Sequence, residues 1–217
     1  MIKTAVFDFD GVIVRRSEFF KHDAWSEIFS DYGAPGVEAV HEGVRLYGGG
    51  RGGDRFDILR HAFQTLGESE DRISTLVDET AQKYNELVQE KMIEAGVLDE
   101  DRAVLERISK RVPLYINSAT PKQALERTVE NLRLRSFIVG VLGRPNTKVE
   151  NLKYVAEEQG IEPSEILFIG DADTDYKAGQ EFGCRFIGLS NDWNMWKKGE
   201  KPFTVISSLN EIESHLN

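Results

Sequence analysis

Asp8 and Asp10 stand one residue apart at the end of a short apolar run, Ala5-Val6-Phe7, and Gly11 follows them. Charged side chains are rarely buried without partners, so a carboxylate pair here has a cation or a reaction to serve. Two further stretches carry polar residues directly after an apolar run. Asn117-Ser118-Ala119-Thr120 follows Leu114-Tyr115-Ile116, and Gly170-Asp171-Ala172-Asp173-Thr174-Asp175 follows Ile166-Leu167-Phe168-Ile169. Between them, Arg144 and Lys148 lie near the start of a helical pattern. In an open α/β sheet, ligands bind outside the carboxyl ends of the parallel strands. If the apolar runs are strands of one sheet, all four stretches meet at one edge.

The pattern of elements supports such a sheet. Apolar runs of strand character fall at residues 2–7, 112–117, 137–141, 166–169 and 185–189, with a short edge strand at 203–206. Helical patterns fall at 101–110, 121–132, 149–159, 174–182 and 209–216. Strands alternating with helices of this length imply βαβ units and a parallel sheet. Pro121 suits the first turn of its helix, with Thr120 as its cap, and Gly160 and Gly183 suit helix ends.

The alternation stops between residues 15 and 96. That stretch reads as helical throughout, with apolar spacing at 18–32, 55–66 and 71–95; Leu76, Ala81, Tyr84, Leu87 and Val88 mark the stripe of the longest segment. The expected architecture is therefore an α/β core of Rossmann-like type, residues 1–14 and 97–217, split by an all-helical insertion, residues 15–96. The insertion contains one compositional oddity, Gly48-Gly49-Gly50-Arg51-Gly52-Gly53, after which Asp54 is placed to cap a helix beginning near Arg55.

Bulk properties narrow the function classes. The 217 residues carry a formal net charge of −10, which disfavours general binding to nucleic acid or to an anionic membrane. Cys184 is the single cysteine, so no internal disulfide forms. No apolar stretch approaches the ~20 residues of a membrane span. Asp8 and Asp10 interrupt the N-terminal apolar run, which departs from a signal-peptide pattern, and a cytoplasmic protein is expected. The four histidines show no ligand spacing.

The ordered set of Asp-x-Asp-Gly-Val, strand-Ser, a basic residue and Gly-Asp-x-x-x-Asp resembles the haloacid dehalogenase (HAD) superfamily, in the branch with a helical cap that holds phosphoglycolate phosphatase-like and β-phosphoglucomutase-like proteins. The resemblance runs over essentially the whole chain. It implies that Asp8 is the nucleophile forming an aspartyl-phosphate, and that Asp10 protonates the leaving oxygen and then deprotonates water. It implies Mg²⁺ held by Asp8, the backbone carbonyl of Asp10, and Asp171. Ser118 and the Ala119 amide would bind the phosphoryl group, and Asp175 would orient the basic residue or a metal-bound water. The substrate class it implies is a small phosphorylated metabolite.

The third motif departs from the family pattern. The usual lysine slot falls near Asn146, with Arg144 and Lys148 flanking it; Lys148 is the preferred candidate because a compact ammonium suits a shared point contact. The first motif departs as well, since Val14 leads into Arg15-Arg16-Ser17 where many relatives carry an aspartate-serine pair. Arg15, Arg51 and Arg55 are candidates for gripping a second anionic group of the substrate. Asp10 argues for phosphoryl transfer over dehalogenation, because the dehalogenating relatives lack it. The absence of lysine between Lys21 and Lys83 argues against Schiff-base phosphonate cleavage. A phosphomutase and a catalytically silent binding module stay open as alternatives.

Overall fold

The apolar run near the N-terminus forms strand β1 (Thr4–Phe7), and all of its residues are buried. A computed structural model of the chain describes residues 1–48 and 53–217. It contains five further strands: β2 (Leu114–Pro121), β3 (Gly140–Arg144), β4 (Ile166–Gly170), β5 (Arg185–Leu189) and β6 (Thr204–Ile206). They form one sheet in the order β3-β2-β1-β4-β5-β6, and every neighbouring pair is parallel. The helices are α1 (Ser17–Ile28), α2 (Gly33–Tyr47), α3 (Arg55–Thr65), α4 (Glu70–Ala95), α5 (Asp99–Ser109), α6 (Lys122–Asn131), α7 (Lys148–Gln159) and α8 (Asp173–Phe182). The chain divides into two compact units, residues 1–18 with 95–217, and residues 19–94.

In the α/β unit, β1 and β4 are buried along their whole length, as a parallel sheet covered on both faces requires. Val6, Tyr115, Ile166 and Phe168 from the sheet pack with Leu152 and Val155 of α7 and Ala178 of α8. Several elements differ from the sequence expectation: β2 runs on to Pro121 and the first helix ends at Ile28. The third strand runs over Gly140–Arg144 instead of 137–141. Leu134 and Ile138 bury themselves from a turn, and a buried apolar run in a turn looks like a strand when only composition is read. The expected helix at 209–216 is a 3₁₀ helix, Leu209–His215.

The helical unit has its own core. Trp25 stacks on Tyr84 with ring centroids 3.8 Å apart, and Phe29 packs against Phe63 at 5.4 Å. Helix α2 gave little sequence signal because it contains Gly33, Pro35, Gly36 and Gly43, which carry poor helix propensity. Gly43 has a packing reason: a Cβ there would lie 2.8 Å from the Ile58 carbonyl oxygen, so only glycine lets α2 and α3 approach so closely. Helix α3 starts at a capping box. Asp54 accepts from the Phe56 and Asp57 amides, and the Asp57 carboxylate accepts from the Asp54 amide.

Phe168 is fully buried in the central strand β4. Truncating Phe168→Ala is expected to destabilise the chain by about 3–5 kcal/mol through lost burial and a residual cavity. Urea unfolding monitored by circular dichroism measures this, and a loss under about 1 kcal/mol contradicts it.

Candidate active site

The sheet order makes β1 and β4 neighbours whose following connections leave in opposite directions, β1 toward β2 and β4 toward β5. Such a switch point opens a crevice beyond the strand ends, because the two loops diverge. Phe7 pairs with Ile169 on one side and Ile116 on the other, so Asp8, Gly170 and Asn117 lie at one level of the sheet. Asp8, Asp10, Asp171 and Asp175 are all buried there.

Lys148, the first residue of α7, reaches into this group. Its ammonium lies 3.0 Å from Asp8 Oδ1 and also donates to Asp175 Oδ1. Burial alone would lower its proton affinity, but the charges of Asp175 and Asp8 raise it, so Lys148 stays protonated. Burial pushes Asp8 above the usual carboxylate range; Asp175, Asp171 and Asp10 add to the rise, and Lys148 opposes it. Burial also pushes Asp171 up to about 7. Asp8, Asp171 and Asp175 each place one carboxylate oxygen within 4.8 Å of the others, and they are the one group of this kind among the described residues. Buried hard oxygen donors in excess over one ammonium suit a divalent cation. Asp175 uses Oδ1 on Lys148 and Oδ2 on the Asp171 and Ala172 amides, which leaves Asp8 and Asp171 as the better side-chain ligands.

Asp10 was expected at the metal through its backbone carbonyl; its carboxylate belongs to a different set of contacts. Asp10 Oδ2 accepts from Thr120 Oγ1 at 3.3 Å and from Ser118 Oγ at 3.5 Å. Both hydroxyls come from an irregularity in β2, where the register with β3 shifts between Asn117 and Pro121. A bulge of this kind re-aims side chains at a sheet end. Thr120 therefore does not cap α6, as its position before Pro121 implied. The cap position is Pro121, with no side-chain bond, and the Thr120 hydroxyl turns to Asp10. Ser118 is buried, and its Oγ accepts from the Thr120 amide at 3.1 Å; Ala119 beside it is exposed.

The basic candidates separate cleanly. Lys148 touches Asp8, whereas Arg144 is exposed at the end of β3. Arg15 pairs within the α/β unit: its Nε and Nη2 donate to the fully buried Asp101 carboxylate at 2.8 and 3.1 Å. A buried carboxylate without a cation is costly, and Arg15 meets that need. Arg55 donates to Asn85 within the helical unit. Arg51 lies outside the described residues, as do Gly49, Gly50 and Gly52. Asp173 pairs with Lys201 at 2.8 Å at the exposed start of α8.

Three asparagines to which the sequence assigned no role make contacts at the site. Asn117 donates to the Lys148 carbonyl and accepts from Asn151, both at 2.9 Å, which ties the end of β2 to the start of the helix carrying Lys148. Asn191 donates to Asp171 Oδ2 at 2.7 Å, and Asn194 donates to the Asp171 carbonyl at 2.9 Å. The available signal was their place: Asn191 and Asn194 follow β5 at the same edge of the sheet as the ends of β1 and β4.

The family model of haloacid dehalogenase-like hydrolases matches residues 2–183. The chain belongs to this family. It is 26% identical over 111 residues to phosphoglycolate phosphatase from Escherichia coli K12; the match covers 48% of this chain and 44% of that enzyme, so less than half of the relative's length is spanned. A haloacid dehalogenase-like protein from Streptococcus pneumoniae superposes with a TM-score of 0.70 at 21% identity, covering 100% of this chain and 99% of that one. A β-phosphoglucomutase from Clostridium difficile gives 0.64 at 19% identity, covering 98% and 93%. Among the described residues, no helix is long and apolar enough to cross a membrane.

The raised proton affinity of Asp171 has a pH consequence. In the unfolded chain its carboxyl titrates near the ordinary value of about 4; in the folded chain it titrates at about 7. The proton held by the folded state stabilises it fully below the lower value, and that contribution is lost as pH rises through the upper one. In chelator, the melting temperature is expected to fall between about pH 5 and pH 8, and Asp171→Asn to flatten that fall. Scanning fluorimetry of both proteins checks this; an unchanged slope in the variant contradicts it.

Proposed function

We propose that this chain is a Mg²⁺-dependent phosphatase that hydrolyses a small phosphorylated metabolite through an aspartyl-phosphate on Asp8. The observation that carries the reading is the separation of the two aspartates. Asp8 shares an ammonium with Asp175, while Asp10 is held by the hydroxyls of Ser118 and Thr120. One carboxylate is thus set beside an ammonium, and its neighbour is held apart from that ammonium by two hydroxyls.

In the proposed reaction an Asp8 oxygen attacks phosphorus while the bond from phosphorus to the leaving oxygen breaks. Asp10 gives its proton to that oxygen. Asp10 then takes a proton from water, the water oxygen attacks phosphorus, and the bond to Asp8 breaks to release phosphate. Lys148 balances the charge of Asp8 and of the incoming phosphoryl group, and Asp175 holds Lys148 in place. Ser118 and the Ala119 amide are assigned to the phosphoryl oxygens. Asp8, Asp171 and the Asp10 carbonyl are assigned to Mg²⁺, which when bound offsets the repulsion between an anionic nucleophile and an anionic substrate. The inserted helical unit is assigned the choice of substrate. The phosphatase activity of the Escherichia coli relative supports the reading through its partial match.

A panel of phosphorylated sugars, nucleotides and glycolytic acids, assayed for phosphate release with Mg²⁺, tests the proposal. Asp8→Asn is expected to lower the rate by at least about a thousandfold, and Asp10→Asn by about 10²–10⁴-fold, with unchanged circular dichroism. No hydrolysis above the Asp8→Asn background would sink the enzyme reading. A requirement for added bisphosphate, with transfer in place of release, would favour a phosphomutase.

A further inference from the structure

Asn191 makes four hydrogen bonds through one amide group. Its Nδ2 donates to Asp171 Oδ2 at 2.7 Å and to the Gly11 carbonyl at 3.0 Å. Its Oδ1 accepts from the Trp193 amide at 3.0 Å and the Asn194 amide at 2.9 Å. Both donors and both acceptor sites are used. The side chain therefore joins three loops, those after β1, β4 and β5, at the carboxylate expected to bind metal.

The fit depends on Gly11. Its φ is +71°, and a Cβ there would lie 1.9 Å from Asp171 Oδ2 and 3.1 Å from Asn191 Nδ2. The backbone of the first loop thus comes against the Asp171–Asn191 pair only because residue 11 has no side chain. Residue type matters equally at position 191. A serine is too short to reach both acceptors. An aspartate has no N–H to give and adds a like charge beside Asp171. A lysine would neutralise the carboxylate that a cation needs. A neutral amide orients Asp171 and leaves its charge in place.

We propose that Asn191 is a positioning residue for the metal site, holding the Asp171 carboxylate in a single orientation so that the site is formed before the cation arrives. The inference rests on the metal reading of Asp8 and Asp171 given above. Groups that orient a ligating carboxylate typically change metal affinity by about 10–100-fold when removed. Asn194 supplies the comparison: it donates to the Asp171 and Leu189 carbonyls and orders the same loop, without touching the Asp171 carboxylate.

Isothermal titration of the full chain with Mg²⁺ and with Mn²⁺, without substrate, tests the inference. Asn191→Ala is expected to bind about tenfold more weakly than the wild type, and Asn194→Ala within about threefold of it. Asn191→Ser, which keeps an acceptor for the turn while losing the reach to Asp171, is expected to match Asn191→Ala and serves if the alanine variant does not fold. Binding by the folded Asn191 variants within about twofold of the wild type overturns the proposal. So does an equal loss in Asn194→Ala, since loop order alone would then account for the effect. A folded wild type that binds neither cation overturns the metal reading itself, and this inference with it.

Discussion

The structure depends on how one buried ammonium is shared among more carboxylates than it can neutralise. Lys148 meets Asp8 and Asp175, while Asp171 and Asp10 stand close enough to raise the proton affinity of Asp8. Charges removed from water are tolerated only with partners, so this surplus is stable in three ways: held protons, bound cation, or hydrogen bonds from the surrounding chain. The raised proton affinity of Asp171 reflects the first; the Asn191 amide on Asp171 and the Asp171 and Ala172 backbone amides on Asp175 supply the third. The second is the state in which a cation replaces the protons.

The sheet geometry makes that crowding possible. Four carboxylates reach one crevice because β1 and β4 lie side by side while their connections diverge. Their positions are enforced from below by strands buried on both faces, and from the sides by hydrogen-bonding polar side chains. Asn117 fixes the helix that brings Lys148, and Asn191 fixes Asp171. Both are neutral, so they add order without changing the charge balance on which the site rests.

The same loop separates the chemistry of Asp8 and Asp10 although only Phe9 lies between them. The Asp8 carboxylate also accepts from the Phe9 amide at 2.8 Å, whereas Asp10 turns to the hydroxyls of the β2 irregularity. The next segment of chain is anchored as firmly: the Gly11 amide donates to the buried Ser17 hydroxyl at 2.8 Å, and Arg15 is spent on Asp101. Arg15 and Ser17, in the stretch where the first motif departs from its commonest pattern, thus have local work to do within the α/β unit.

Much of this was legible without coordinates. The alternation of strands and helices, the helical insertion, the Asp54 cap and the strand-end positions of Asp8, Asp10, Ser118, Asp171 and Asp175 all follow from periodicity and from residue types at the ends of apolar runs. These are local signals, carried by neighbours in sequence. The partner of each charged group was not local. Whether Lys148 or Arg144 would meet Asp8 depended on where β3 ended and α7 began, and that boundary was misplaced. Thr120 looked like a cap until the bulge in β2 turned it to Asp10. Arg15 looked available until Asp101, 86 residues away, claimed it. Asn191 lay 20 residues beyond Asp171 in a segment without a motif. The sequence by itself determined which residues stand at the edge of the sheet. Tertiary structure alone decided which of them touch, because a buried charge takes its partner from whatever the fold brings within reach.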